Sequence, residues 1–264
     1  FPRLVRYPET ESLADAMGVP SRGLEYCVAR LSRWNERKVP IFANIGGFSP
    51  QAIAAGFFAV EPHVDGVEVS LMCPNLLRAG ERFDDIGLLE QVLARIAARR
   101  KPVIVRVPND TARSADRLAQ MIERCVEAGV EGLKVGGGRP LAELRLGVKQ
   151  GTLHGRAIFD AALENVARAA GLARGRIDIK GNGGVSSADD VIAMARAGAT
   201  CIDLYSSFIY RGWSVARDIN RALDPILAQN RKPVEARLRV TVVDQTGASI
   251  PNARVMINKR QQTL

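Results

Sequence analysis

Along this chain, short apolar runs alternate with longer stretches in which apolar residues return every three or four positions. The runs Val39–Gly46, Asp65–Met72, Pro102–Pro108, Gly132–Gly137, Ile177–Gly184 and Cys201–Ser207 are short, mostly rich in Val and Ile, and end in glycine or polar residues, as buried parallel strands do. Between them, Leu88–Arg99, Ala115–Ala128 and Ala188–Ala197 read as helices. In the second, Leu118, Met121, Ile122 and Val126 fall on one face. Ser187-x-x-Asp190 forms a capping box that opens the third. A further helix is predicted over Arg22–Arg37, and the chain ahead of it reads as a loop.

Six successive βα units predict a parallel sheet with right-handed crossovers. Periodicity alone leaves two architectures, an open doubly wound sheet and a closed barrel. The strand ends favour the barrel. Asn44-Ile-Gly-Gly47, Cys73-Pro-Asn75, Pro108-Asn-Asp110, Gly136-Gly-Gly138, Asn182-Gly-Gly184 and Ser206-Ser207 each follow a strand. A barrel gathers all of them around one mouth, whereas an open sheet brings together only those at its switch point. The expectation is therefore an α/β (β/α)₈ TIM-type barrel, N-terminally incomplete, with the first two strands absent and the chain starting mid-protein at Phe1-Pro2-Arg3.

The rhythm changes after Leu227. Arg237–Val243, the turn Asp244-Gln-Thr-Gly247 and Ala253–Ile257 predict a β-hairpin, similar to the opening of a small carboxypeptidase-regulatory-like sandwich. So short a tail buries no core of its own. The expected organisation is a barrel over 1–229 and a β-rich tail, or the stub of a second domain, over 230–264.

Composition narrows the function classes. The longest apolar run, Ala52–Val60, is broken by Gly56 and far too short to span a bilayer. The two histidines and four scattered cysteines offer no zinc-ligand spacing, so no metal site is expected, and free thiols suit a cytoplasmic protein. The net charge of +9 invites a polyanion, but the basic residues are interspersed with acidic ones rather than clustered. The same field suits an anionic substrate or a phosphorylated cofactor.

Four features carry candidate chemistry. The loops after the last two strands, Ile179–Ser187 and Leu204–Ser207, present glycine backbone near helix starts, the arrangement that binds phosphate; the bland alternative is a pair of tight turns. Cys73 lies just past a strand end, where a thiol can act as base; otherwise it is a small buried hydrophobe, the reading given to Cys27, Cys125 and Cys201. Arg106 puts a cation in an apolar strand, so it faces either an anion at the mouth or Glu68 on the preceding strand. His154 has no carboxylate near it in sequence and is set aside as a loop residue.

Taken together, Pro2-Arg-Leu-Val-Arg6, Met17-Gly18, Ala43-Asn-Ile-Gly46, Cys73-Pro-Asn75, Leu153-His-Gly-Arg156, Gly181-Asn-Gly-Gly-Val-Ser-Ser187, Ala197-Gly-Ala199 and Leu204-Tyr-Ser206 resemble the dihydroorotate dehydrogenase family in order and approximate spacing. The resemblance implies an FMN-binding barrel that oxidises dihydroorotate to orotate in pyrimidine biosynthesis. It implies Cys73 as the catalytic base, Asn44 as a flavin contact and Asn75 as a substrate contact. Gly155, Gly183, Gly184, Tyr205 and Ser206 match positions around the FMN phosphate and ribityl chain. The family's flavin-contacting Lys is Arg106 here, and Ser70 replaces an Asn; both join the cofactor set. Gly136 and Gly137 lie where an Asn-Thr type pair reads the substrate, and Asp15 falls where a substrate-binding Asn is expected. The phosphate end thus matches better than the substrate end.

Family members pass electrons to a quinone at the membrane or to a soluble acceptor. Pro2-Arg-Leu-Val-Arg6 is similar to the former type and Cys73 to the latter, so the expected localisation is cytoplasmic with peripheral membrane association open, as is homo-oligomerisation. Two other readings stand beside this one: a dihydrouridine-synthase-like flavin enzyme acting on RNA, and a truncated, non-catalytic barrel.

Overall fold

The computed structural model describes residues 2–18, 20–34, 39–47, 49–71, 85–108 and 112–230, and the backbone of 254–257 and 260–263. Contacts divide the chain into Phe1–Leu223 and Asp224–Leu264.

In the first unit, six strands form one parallel sheet: β3 (Phe42–Gly46), β4 (Gly66–Ser70), β5 (Val103–Arg106), β6 (Gly132–Gly136), β9 (Asp178–Asn182) and β10 (Cys201–Asp203). Their spatial order, β10-β9-β6-β5-β4-β3, follows the chain without reversal. A doubly wound sheet must reverse at its switch point, so that architecture is excluded. The helices α1 (Leu24–Leu31), α2 (Pro50–Val60), α3 (Asp85–Arg95), α4 (Ala115–Glu127), α5 (Phe159–Ala173) and α6 (Ala188–Arg196) each pack on the next. One face of the sheet thus carries the helices and the other is concave: an incomplete (β/α)₈ barrel, as the strand ends predicted.

Alternation along each strand explains the core. Val67, Val69, Val103, Val105, Leu133 and Ile179 are buried and pack with Ile53 and Phe57 of α2, Met121 and Ile122 of α4, and Val166 of α5. The intervening residues face the concavity. The apolar run Ala52–Val60 becomes α2, begun by Ser49, whose side chain accepts the N–H of Ala52 with Pro50 in the first turn. At the floor, acidic side chains take N–H groups at strand entrances. Asp65 accepts from Ile41 at 2.8 Å, Glu61 from Arg100 and Lys101 at 2.5 and 3.0 Å, and Glu131 from Val103 at 2.8 Å.

The chain's opening differs from its reading as a loop. It forms β1 (Leu4–Tyr7) and β2 (Ser12–Asp15), which join β7 (Arg139–Ala142) and β8 (Gln150–Gly155) in an antiparallel sheet of order β1-β2-β8-β7. These strands are only four to six residues long, and β2 is buried at every position, so no alternation marks it in the sequence. Long-range pairing decides here. Tyr210 Oη donates to the carbonyl of Ser12, and Ser12 Oγ accepts the N–H of Ala157 at 2.9 Å, which docks β2 onto the barrel.

Other boundaries shift. The first helix is Leu24–Leu31, shorter than Arg22–Arg37, of which 35–38 lie outside the described residues. Cys125 is buried as expected, and burial pushes its thiol up to about 12, outweighing the opposite pull of Arg99. Cys27 and Cys201 are exposed instead, Cys201 because it lies on the edge strand β10. After α7 (Ser206–Arg211) comes α8 (Val215–Asn230). In the second unit, β11 (Arg254–Ile257) pairs with β12 (Arg260–Thr263), antiparallel, whereas the sequence paired Ala253–Ile257 with Arg237–Val243, which lies outside the described residues.

Candidate functional site

The concave face carries an ionic square. Glu68 of β4, Lys134 of β6, Lys180 of β9 and Asp203 of β10 are the inward residues of four strands. Lys134 Nζ lies 3.0 Å from Glu68 and 2.6 Å from Asp203; Lys180 Nζ lies 3.0 Å from Glu68 and 3.6 Å from Asp203. The Glu68 side chain is only 5% exposed and both lysines 16%. Two carboxylates and two ammoniums cancel, which is what allows four charges to share a buried layer. Burial depresses the Lys180 ammonium, but the charges of Asp203 and Glu68 more than restore it and hold it above its usual range.

Sequence reasoning singled out only Glu68 of these four, and as a partner for Arg106. The structure gives Glu68 to the lysines, and among the described residues the Arg106 side chain has no ion pair or hydrogen bond. A usable signal was present. Each of the four interrupts an apolar or glycine-containing strand at one inward position, and two are of each sign.

Asn44 and Ser70 sit together above this layer. Asn44 Nδ2 donates to Glu68 at 2.6 Å and to Ser70 Oγ at 3.1 Å. Strand register sets Gly46, Ser70, Arg106 and Lys134 side by side, so Asn44, Ser70 and Arg106 share the mouth of β3–β5. The proposed catalytic Cys73 and the substrate contact Asn75 lie outside the described residues.

At the other end of the mouth, Gly155, Gly183, Gly184, Tyr205 and Ser206 line one cavity, together with His154 and Asp203. Gly183 and Gly184 have φ of +131° and +70°, and a Cβ on Gly184 would stand 2.6 Å from the Gly155 carbonyl oxygen. The loop therefore needs glycine on both conformational and steric grounds. Among the described residues, the N–H groups of Gly183 and Gly184 have no protein acceptor. The hydroxyl of Ser207, next to Ser206, is buried and without a hydrogen-bond partner. Free donors around a cavity that no side chain fills are what a phosphate requires.

The start of α6 supports this loop without offering itself to a ligand. The predicted capping box is present: Ser187 Oγ accepts the N–H of Asp190 at 3.2 Å, and Asp190 accepts those of Ser186 and Ser187 at 2.9 and 3.0 Å. Burial alone would raise the Asp190 carboxyl; the Ser186 N–H and the Arg156 guanidinium, 2.5 Å away, overcome it and hold it below its usual range.

Gly136 and Gly137 lie at the edge of this end. The Gly137 N–H donates to the Asn182 carbonyl at 3.2 Å, and the pair lines a separate small cavity with Gly138 and Arg139. The structure thus brings the five phosphate-end residues together, joins Asn44 and Ser70, and leaves Gly136-Gly137 beside the cradle.

His154, set aside in the sequence, belongs to the cradle wall. Its Nε2 is 3.1 Å from Asp15 Oδ2, and its ring stands edge-on to Tyr205 with centroids 5.5 Å apart. The missing carboxylate comes from β2, whose register places Leu13 opposite His154 and Asp15 two residues further along. Burial raises the Tyr205 phenol above its usual range, and the Asp15 charge adds to this.

Comparison with known proteins agrees with this architecture. The sequence profile of the family described as Dihydroorotate dehydrogenase matches residues 1–227. A protein of Deinococcus radiodurans named Dihydroorotate dehydrogenase (quinone) is 34% identical, the match covering 87% of this chain and 67% of that protein. One of the same name from Cereibacter sphaeroides is 31% identical over 87% of this chain and 68% of its own. Two crystal structures of the Eimeria tenella enzyme share the fold. The ligand-free form has TM-score 0.74 at 24% identity, covering 86% of this chain and 73% of that one. The ferulenol complex has TM-score 0.72 at 22% identity, covering 86% and 71%. With the profile spanning the whole barrel and relatives above 30% identity, this chain belongs to the dihydroorotate dehydrogenase family, a family of oxidoreductases.

Proposed function

We propose that this protein is an FMN-dependent dihydroorotate dehydrogenase that oxidises dihydroorotate to orotate in pyrimidine biosynthesis and passes the electrons to a quinone. The observation that carries the reading is the cavity at the barrel mouth, where Gly155, Gly183, Gly184, Tyr205 and Ser206 converge with unused N–H donors. When bound, FMN supplies the hydride acceptor. The chain supplies orientation. The cradle fixes the phosphate, while Asn44, Ser70 and the guanidinium of Arg106, which has no partner among the described residues, offer donors and positive charge at the opposite side of the mouth. Cys73 takes the proton from the substrate carbon, and Asn75 with the Gly136-Gly137 backbone positions the substrate. The quinone follows from the relatives, which carry that acceptor in their names. This reading places the protein in the cytoplasm with access to a membrane surface for its acceptor; none of its described helices is long and apolar enough to cross one.

The test is a visible absorption spectrum after incubation with FMN and removal of unbound cofactor. A retained flavin band supports the reading, and a folded, colourless protein overturns it. In the flavin-loaded protein, Cys73→Ser should keep the band and slow turnover, because only the strength of the base changes; unchanged turnover removes Cys73 from the mechanism.

A further inference from the structure

Among the described residues, His154 and Asp15 form a largely buried pair at the mouth that the flavin reading leaves without a task. Asp15 has a side chain 11% exposed, and His154 is its partner. A carboxylate so placed is costly unless a proton-bearing group faces it, and here that group is the imidazole. The ring presents Nε2 to Asp15, which leaves Nδ1 on its other side, and among the described residues His154 has no further hydrogen-bond or ionic partner. His154 is one of the residues lining the cavity of Gly183, Gly184, Tyr205 and Ser206, and its ring stands edge-on to Tyr205 at 5.5 Å.

The charges around this cavity single out the histidine. Arg156 is committed to Asp190 at 2.5 Å, and Lys134 and Lys180 are committed to the ionic square. Asp203, which also lines the cavity, is itself held by those lysines. A histidine ring differs from them in having a nitrogen on each of two sides of a rigid plane, so with a ligand anion bound and both nitrogens protonated it would face a protein carboxylate and that anion at once.

We infer that His154 is a phosphate-binding residue of this site, oriented by Asp15 and donating from Nδ1 to the phosphate of the ligand in the glycine cradle. It rests on the flavin reading only for the identity of the molecule that carries the phosphate. Asp15 is a positioning residue, so the carboxylate that stands where an Asn was expected serves the cofactor end rather than repelling substrate.

The chain has two histidines, His63 and His154, so two imidazole C2–H resonances report the test in the full-length protein, with His154→Asn assigning them. Inorganic phosphate and FMN should each shift the His154 resonance, and riboflavin, which lacks the phosphate, should not produce the shift that FMN does. In parallel, His154→Ala should weaken FMN by about tenfold and leave riboflavin affinity unchanged, the scale of one charge-assisted hydrogen bond. Equal losses for both flavins, or none for either, overturn the assignment. If His154→Ala fails to fold, the wild-type spectra decide alone. A retained flavin with an unmoved His154 resonance sinks this inference and spares the flavin reading. A shift by phosphate without any flavin binding does the reverse.

Discussion

The two ends of the barrel mouth are built from different materials. Around Gly183-Gly184 and Tyr205-Ser206 the wall is largely backbone, and its useful groups are N–H donors exposed because glycine has no side chain. In the layer formed by β4, β6, β9 and β10 the wall is side chains, and the groups there are four charges that cancel one another. A backbone cradle is specified locally, by a few residues that must be glycine. The ionic square is specified globally, since its members come from four strands and each is intolerable without the others. One end can be lost by a single added side chain, while the other fails through loss of stability.

The sharpest way to break the contrast is at Gly184. Gly184→Asp adds a carboxylate and a Cβ 2.6 Å from the Gly155 oxygen at a φ of +70°, and should abolish FMN retention after gel filtration. Gly184→Ala, with the strain but not the charge, separates the two causes; flavin retained by Gly184→Asp would move the phosphate site elsewhere.

The next effect is on stability. Glu68→Ala strands two ammoniums with one carboxylate and should cost about 3–5 kcal/mol in chemical denaturation, the usual penalty for breaking a buried pair. At the same time the ratio of FMN to riboflavin affinity should stay near that of the wild type, since Glu68 does not line the cradle and Asp203, which does, keeps its lysines. A ratio that collapses would mean the two ends are coupled, contrary to the comparison.

The smallest effect is behind the cradle. Ser187→Ala removes the cap from α6 and should cost about 1 kcal/mol, read as a lowered unfolding midpoint. It leaves Asp190 bound to the Ser186 N–H and to Arg156, so the loop should hold its shape. A loss of FMN binding larger than the loss of stability would show that the cap also sets the cradle.

What was legible in the sequence follows this division. The glycine loops, the capping box and the helical face of α4 are local patterns, and the structure has all three. The order of the strands was also readable, because consecutive βα units leave little choice. Pairings across long separations were not. Glu68 meets Lys180 112 residues later, and His154 meets Asp15 only because β2, too short and too uniformly buried to show a period, folds back beside β8. His154 looked partnerless because partners were sought near it in the chain. Arg106 is expected to face an anion at the mouth or Glu68 on the neighbouring strand, and Glu68 already belongs to the lysines.

The acidic side chains at the floor have a consequence of another kind. Asp65 fastens the entrance of β4 to that of β3, Glu61 reaches from the β4 side to the residues before β5, and Glu131 reaches from the β6 side to Val103 of β5. Each of three successive seams therefore carries its own latch, made between neighbours and needing nothing from the rest of the ring. A sheet fastened seam by seam is modular: a βα unit can be added or removed at an edge while the remaining joints stay closed. Changes at the mouth therefore leave these joints at the base in place.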